Sequence, residues 1–114
     1  MPASVGVHVI INVYDIKQAS ILTSLEHGKP ISDNIVKTLQ LHVMEQAGHQ
    51  FQPHGYTMMY LLSESHYSIH TYPEFQSCYI DIFCCNKEFD PACAVELIGK
   101  AFDTDHIDYY VIPR

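Results

Sequence analysis

A chain of 114 residues that is 47% hydrophobic holds enough apolar material for a single domain, residues 1–114, but leaves much surface uncovered, so association between copies is a natural way to bury more. Six basic against 13 acidic residues give a net charge of −7 with no lysine or arginine cluster, which excludes the electrostatic footprint of a nucleic-acid binder. No apolar run is long enough to span a membrane, and the four cysteines, Cys78, Cys84, Cys85 and Cys93, follow no signal peptide, so a reduced, cytoplasmic protein is expected rather than a disulfide framework.

Val5 to Tyr14 opens the chain with Val5, Val7, Val9, Ile11 and Val13 at period two, the signature of a well-buried strand. Asp15 then reads as a helix cap, with Ile16, Ala19, Ile21, Leu22 and Leu25 forming an apolar face up to His27 and Gly28-Lys29-Pro30 as the stop. Ser32 reads as the cap of a second helix, in which Ile35, Val36, Leu39, Val43 and Ala47 recur at three- and four-residue spacing until Gly48 closes it. Beyond a turn-rich hinge at Phe51 to Gly55, three strands are expected at Thr57–Leu62, Ser65–Thr71 and Ser77–Cys85, paired antiparallel. Asp90-Pro91 caps a third helix whose buried stripe is Ala94, Val95, Ile98, Ala101 and Phe102, and a last strand runs from about His106 to Ile112. This order predicts an α+β two-layer sandwich, a mostly antiparallel β-sheet with its helices packed on one face.

The densest run of reactive side chains is Ser63 to Glu74, Ser-Glu-Ser-His-Tyr-Ser-Ile-His-Thr-Tyr-Pro-Glu, set between the apolar stretches Met58–Leu62 and Tyr79–Cys85. Polar groups held among buried strands are costly unless hydrogen-bonded, so a plain loop accounts poorly for them. Glu64-Ser65-His66, then Ile69-His70-Thr71-Tyr72-Pro73-Glu74, Asp81 and Cys85 resemble the prokaryotic S-adenosylmethionine decarboxylase proenzymes, and the likeness extends more loosely from Gly6 to about Tyr110.

That resemblance implies a self-processing enzyme. The bond between Glu64 and Ser65 would break, giving pieces 1–64 and 65–114, and Ser65 would become a covalent pyruvoyl cofactor that forms a Schiff base with the substrate amine. His70 would be the processing base, since imidazole has a suitable pKa. Cys85, twenty residues after Ser65, would be the proton donor, chosen over Cys84 by spacing alone. Thr57 stands where the family carries a serine that supports processing. Phe51 matches the aromatic that stacks on adenine, and Glu74 the acid that binds the ribose hydroxyls. The product would be the aminopropyl donor for spermidine and other polyamines, and the protein a homodimer with its sites at the subunit contact. The first strand departs from the pattern, reading His8-Val9-Ile10-Ile11-Asn12 where the family usually has an acid, and Tyr72 replaces the commoner tryptophan.

On an unbroken strand, residues five apart face opposite sides, so Ser65 and His70 are expected to converge only through a bulge or a strand that starts after Ser65. Three other readings stay open: the same chemistry on ornithine or arginine, a metal-binding module built from His66, His70 and one of Cys84 or Cys85, and an unprocessed regulatory paralogue.

Overall fold

The computed structural model describes residues 5–114. Period-two runs give β1 (Val7–Val13), β3 (Tyr56–Leu62), β4 (Ser65–Tyr72), β5 (Ser77–Cys84) and β6 (Ile107–Pro113), close to the expected spans. With β2 (Val43–Gln50) they form one antiparallel sheet in the order β2-β3-β4-β5-β1-β6. One face carries Val9, Ile11, Val13, Met58, Tyr60, Leu62, Tyr67, Ile69, Ile80 and Ile82, all buried. Packed into the same core are Ile35 and Val36 of α2 (Leu25–Thr38) and Ala94, Ile98 and Phe102 of α3 (Pro91–Phe102). The α+β sandwich is thus as expected, and the opposite face keeps apolar groups in solvent, with Met59 48%, Leu61 52% and Tyr110 58% exposed.

The first two helices depart from the sequence reading. Asp15 caps nothing. Its backbone is left-handed (φ 58°), its carboxylate meets His106 Nδ1 at 2.7 Å, and only the short α1 (Ser20–Thr23) precedes α2. Gly28-Lys29-Pro30 lies inside α2 instead of ending it. Gly28 is there for space, because a Cβ at that position would overlap the Tyr56 hydroxyl, which crosses the helix to donate to the Ile21 carbonyl at 2.7 Å. Ser32 is no cap either, since it is buried in mid-helix with its hydroxyl 3.0 Å from that of Tyr67.

The run expected to stay helical to Gly48 divides at Gln40. Gln40 adopts φ 59°, its N–H bonds the Lys37 carbonyl, and the Leu41 N–H returns to Val36 at 2.9 Å, a Schellman closure without the usual glycine. Val43 to Gln50 then pairs with β3 as an edge strand. Gly48 fits closely there, since a Cβ would lie 2.7 Å from Met58 Sδ and 3.0 Å from Leu25. The third helix follows its reading, with Asp90 accepting the Ala92 N–H at 3.0 Å and Pro91 in the first turn.

Gly28→Ala, which would stabilise an open helix position, is expected to destabilise this fold by about 1–3 kcal/mol through overpacking. Tyr56→Phe should recover part of the loss in the double variant, and the midpoints and slopes of urea unfolding for the four proteins check both.

Candidate active site

Leu62 and Ser65 close the hairpin between β3 and β4 across the two residues Ser63 and Glu64. Tight hairpin loops of this length favour positive φ within the loop, yet neither Ser63 nor Glu64 adopts it. The unfavourable torsion falls instead on Ser65, at φ 135°, a region that side-chain-bearing residues rarely occupy and that stores strain of order 1–3 kcal/mol. The Glu64 carbonyl, which belongs to the peptide bond preceding Ser65, accepts the Cys85 N–H at 3.1 Å. Ser65 Oγ stands 3.5 Å from Cys85 Sγ. A hydroxyl, a thiol and a strained peptide with its carbonyl held are thereby gathered where β4 begins and β5 ends.

Cys84 and Cys85 part as a strand requires. Cys84 is buried on the helix side with its thiol pKa pushed up, first by burial, whereas Cys85 is partly exposed beside Ser65. Gly6 keeps this corner tight, because a Cβ on it would come 2.5 Å from the Cys84 carbonyl and 3.0 Å from Cys85 Cα.

A second group of predicted residues assembles at the far end of β4. Thr57 lies directly opposite His70, and its hydroxyl is 2.9 Å from His70 Nδ1. Phe51, 47% exposed just past β2, packs edge-on to His49 with ring centroids 4.7 Å apart, and His49 lies opposite Thr57. Glu74 is exposed on the 3-10 turn Pro73–Phe75 that follows β4.

The two groups do not meet within one chain. The pairing of β4 with β5 is unbroken from Ser65 to Tyr72, so the irregularity expected between Ser65 and His70 is absent and the distortion lies in the Ser65 backbone itself. Five residues of strand keep Ser65 and His70 about 17 Å apart. The same spacing disposes of the metal module: His66 and His70, four residues apart, are separated by about 13 Å and Cys84 faces the other way, and among the described residues no three His, Cys, Asp or Glu side chains converge to hold an ion.

Register also makes neighbours of residues that the sequence reading did not place together. On the open face His8 and His66 flank Phe83, and His8 Nε2 meets Asp81 at 3.1 Å. Tyr79 lies between His70 on β4 and Asn12 on β1. Period-two alternation marks each as lying on a given face of its strand, but only the strand order makes them neighbours.

Residues 7–114 match the family model for S-adenosylmethionine decarboxylase. The chain is 32% identical to the S-adenosylmethionine decarboxylase proenzyme of Hydrogenobaculum sp. over 114 residues, 100% of this chain and 84% of that protein. It is 33% identical to the Archaeoglobus fulgidus proenzyme over 110 residues, 96% and 97% of the two chains. Its fold is similar to the crystal structure of the adenosylmethionine decarboxylase of Aquifex aeolicus, with a TM-score of 0.89 and 29% identity over 99% of this chain and 92% of that one.

Burial should order the thiols. Brief alkylation of the native protein is expected to label Cys85 and Cys93 while Cys78 and Cys84 react about tenfold or more slowly, as read by peptide mass spectrometry. Labelling of Cys84 as fast as Cys85 would contradict the assignment of their faces.

Proposed function

Because this chain belongs to the S-adenosylmethionine decarboxylase family, we propose that it makes its own pyruvoyl cofactor by breaking its backbone between Glu64 and Ser65. It is an enzyme, an S-adenosylmethionine decarboxylase, and its substrate is a small molecule. The observation that carries the processing reading is the φ of 135° at Ser65, together with the Cys85 N–H on the Glu64 carbonyl.

Ser65 Oγ attacks the Glu64 carbonyl carbon, and the Cys85 N–H stabilises the negative charge that develops on the oxygen. The C–N bond breaks as the nitrogen takes the hydroxyl proton, leaving an ester and relieving the backbone strain. A base then removes the Ser65 Cα proton and the Cβ–Oγ bond breaks, so that piece 1–64 leaves as a Glu64 carboxylate. Water hydrolyses the remaining dehydroalanine to a pyruvoyl group at the head of 65–114 and ammonia departs. The residues present fit that group, since the converted serine would stay beside the Cys85 thiol. The pyruvoyl group supplies an electrophilic carbonyl that engages the substrate amine and accepts electrons as carbon dioxide leaves. Cys85, whose thiol stands 3.5 Å from Ser65 Oγ, returns a proton to the substrate carbon.

His70 cannot serve Ser65 of its own chain across about 17 Å of strand. We assign the base role to His70 of the partner subunit in a homodimer, with Thr57, Phe51 and Glu74 arriving beside it on the same element ends. The exposed apolar groups of the open sheet face, Met59, Leu61, Tyr110 and Ile112, support such a contact, because patches of this kind mark association surfaces. Phe51 then stacks on adenine and Glu74 accepts from the ribose hydroxyls.

Intact mass tests the cofactor. The 13.0 kDa chain should resolve into 1–64 and an amino-blocked 65–114, whereas Ser65→Ala stays whole. A wild-type chain that remains whole after prolonged warm incubation refutes self-processing.

A shared site makes a second demand. Ser65→Ala and His70→Ala should each abolish cleavage alone, yet their equal co-expression should rescue about a quarter of the sites, because each mixed dimer assembles one intact pair. Continued absence of cleavage in verified mixed dimers would place base and serine in one chain.

A further inference from the structure

The sheet ends in two edge strands of unlike character. Pairing of β2 with β3 slips between Val43 and Glu45, and such an irregularity with a charge beside it blunts an edge. At the other end β6 pairs with β1 without a break. Gly6 and Arg114 exchange both backbone hydrogen bonds at 2.9 Å and the His106 carbonyl accepts from the Tyr14 N–H, so the even-numbered residues of β6 turn their backbone groups to β1. Ile107, Tyr109 and Val111 therefore aim N–H and C=O groups outward, and Pro113, with no N–H, ends that row. Their side chains stand on the helix side, opposite Val13, Ile11 and Val9. The helix α3 covers the first of them, since a Cβ on Gly99 would lie 3.2 Å from Ile107 Cδ1, whereas Tyr109 and Val111 stay 46% and 43% exposed beside a fully buried row.

We propose that β6 is an interaction surface for β6 of a second copy of this chain, paired antiparallel about a twofold axis at Tyr109. A twofold contact must be self-complementary, and this register is. Tyr109 meets its own counterpart, Ile107 meets Val111, and Asp108 lies across from Tyr110, whose hydroxyl can donate to it. The outward groups of Ile107, Tyr109 and Val111 are then all satisfied, and the uncovered apolar row runs on from one chain into the next. Moving the axis to Asp108 sets two carboxylates face to face, and moving it to Tyr110 sets Ile107 against Pro113, which lacks the donor. One strand pair is a small contact. The dimer proposed above enlarges it, because laying Ser65 over His70 of the partner subunit requires an axis that runs across the strands and so stacks the two β6 edges on the same side. Two such dimers joined edge to edge close at four chains; that closure rests on the shared-site reading, and the strand contact does not.

Light scattering on the processed protein at micromolar concentration reads the assembly. The parent should be a four-chain species. Tyr109→Lys and Tyr109→Glu each set like charges at the axis and should fall to two chains, with self-cleavage and decarboxylation within about twofold of the parent. An equal mixture of the two variants should restore four chains, since the introduced lysine then meets the introduced glutamate. Amide exchange gives a second reading: the Tyr109 and Val111 amides should exchange about tenfold or more faster in Tyr109→Lys, while those of Tyr110 and Ile112 are unaltered. Should these variants not fold, Val111→Pro removes an outward donor and is held to the same loss of chains. A parent of two chains that Tyr109→Lys reduces to one keeps the strand contact and sinks the shared-site dimer. A single-chain parent, an assembly unchanged by either charge variant, a mixture that does not reassociate, or equal exchange at Tyr109 and Val111 in parent and variant would each overturn the proposal.

Discussion

The constraint on which the rest depends is the closure of the β3–β4 hairpin. Two residues must reverse the chain, neither adopts the positive φ that such a loop favours, and the misfit passes to Ser65. A strained torsion persists only where its surroundings over-determine it. Here they do: β3 and β5 hold β4 in register on both sides, and the Cys85 N–H pins the carbonyl just upstream. The strain is therefore directed at one peptide bond, with a nucleophilic hydroxyl attached to the residue that bears it.

Holding that corner requires a stiff sheet, and the core supplies it. Buried Tyr56, Tyr60 and Tyr67 each anchor a hydroxyl, to the Ile21 carbonyl, the Asp33 carboxylate and Ser32, so α1 and α2 are tied to β3 and β4 by hydrogen bonds as well as by packing. Burial pushes these phenols well above their ordinary pKa and keeps them neutral. Everything that holds the fold lies on one side of the sheet, and the groups proposed for catalysis lie on the other face or at its ends. The separation lets the open face carry polar and exposed apolar groups without cost to the core.

The β-strands around the reactive stretch were legible because alternation reports a half-buried strand directly, and the third helix was legible because Asp90-Pro91 is a local signal made by local bonds. The second helix was misread for an equally physical reason. Val43 and Ala47 fit a three-to-four spacing and a strand pattern alike, and the true stop, Gln40 in a left-handed closure, carries no glycine to announce it. Gly28, Pro30 and Gly48 resemble punctuation, but Gly28 and Gly48 answer to distant partners, Tyr56 and Met58. The expected bulge is absent because β5 pairs with β4 without a break from Ser65 to Tyr72, a match between distant strands that the reactive stretch does not encode.

By itself the sequence determined the chemistry on offer. Ser65 and His70 lie in its densest reactive run, the class of the fold follows from local periodicity, and the parts of Cys85, Thr57, Phe51 and Glu74 are what the family resemblance of short motifs implies. Only the tertiary structure decided the grouping. Strand order and register set Ser65 with Cys85 at one end of β4 and Thr57 with His70 at the other, and they aligned Tyr79 with Asn12. Such proximities are created by pairing between strands far apart in the chain, which no local pattern encodes.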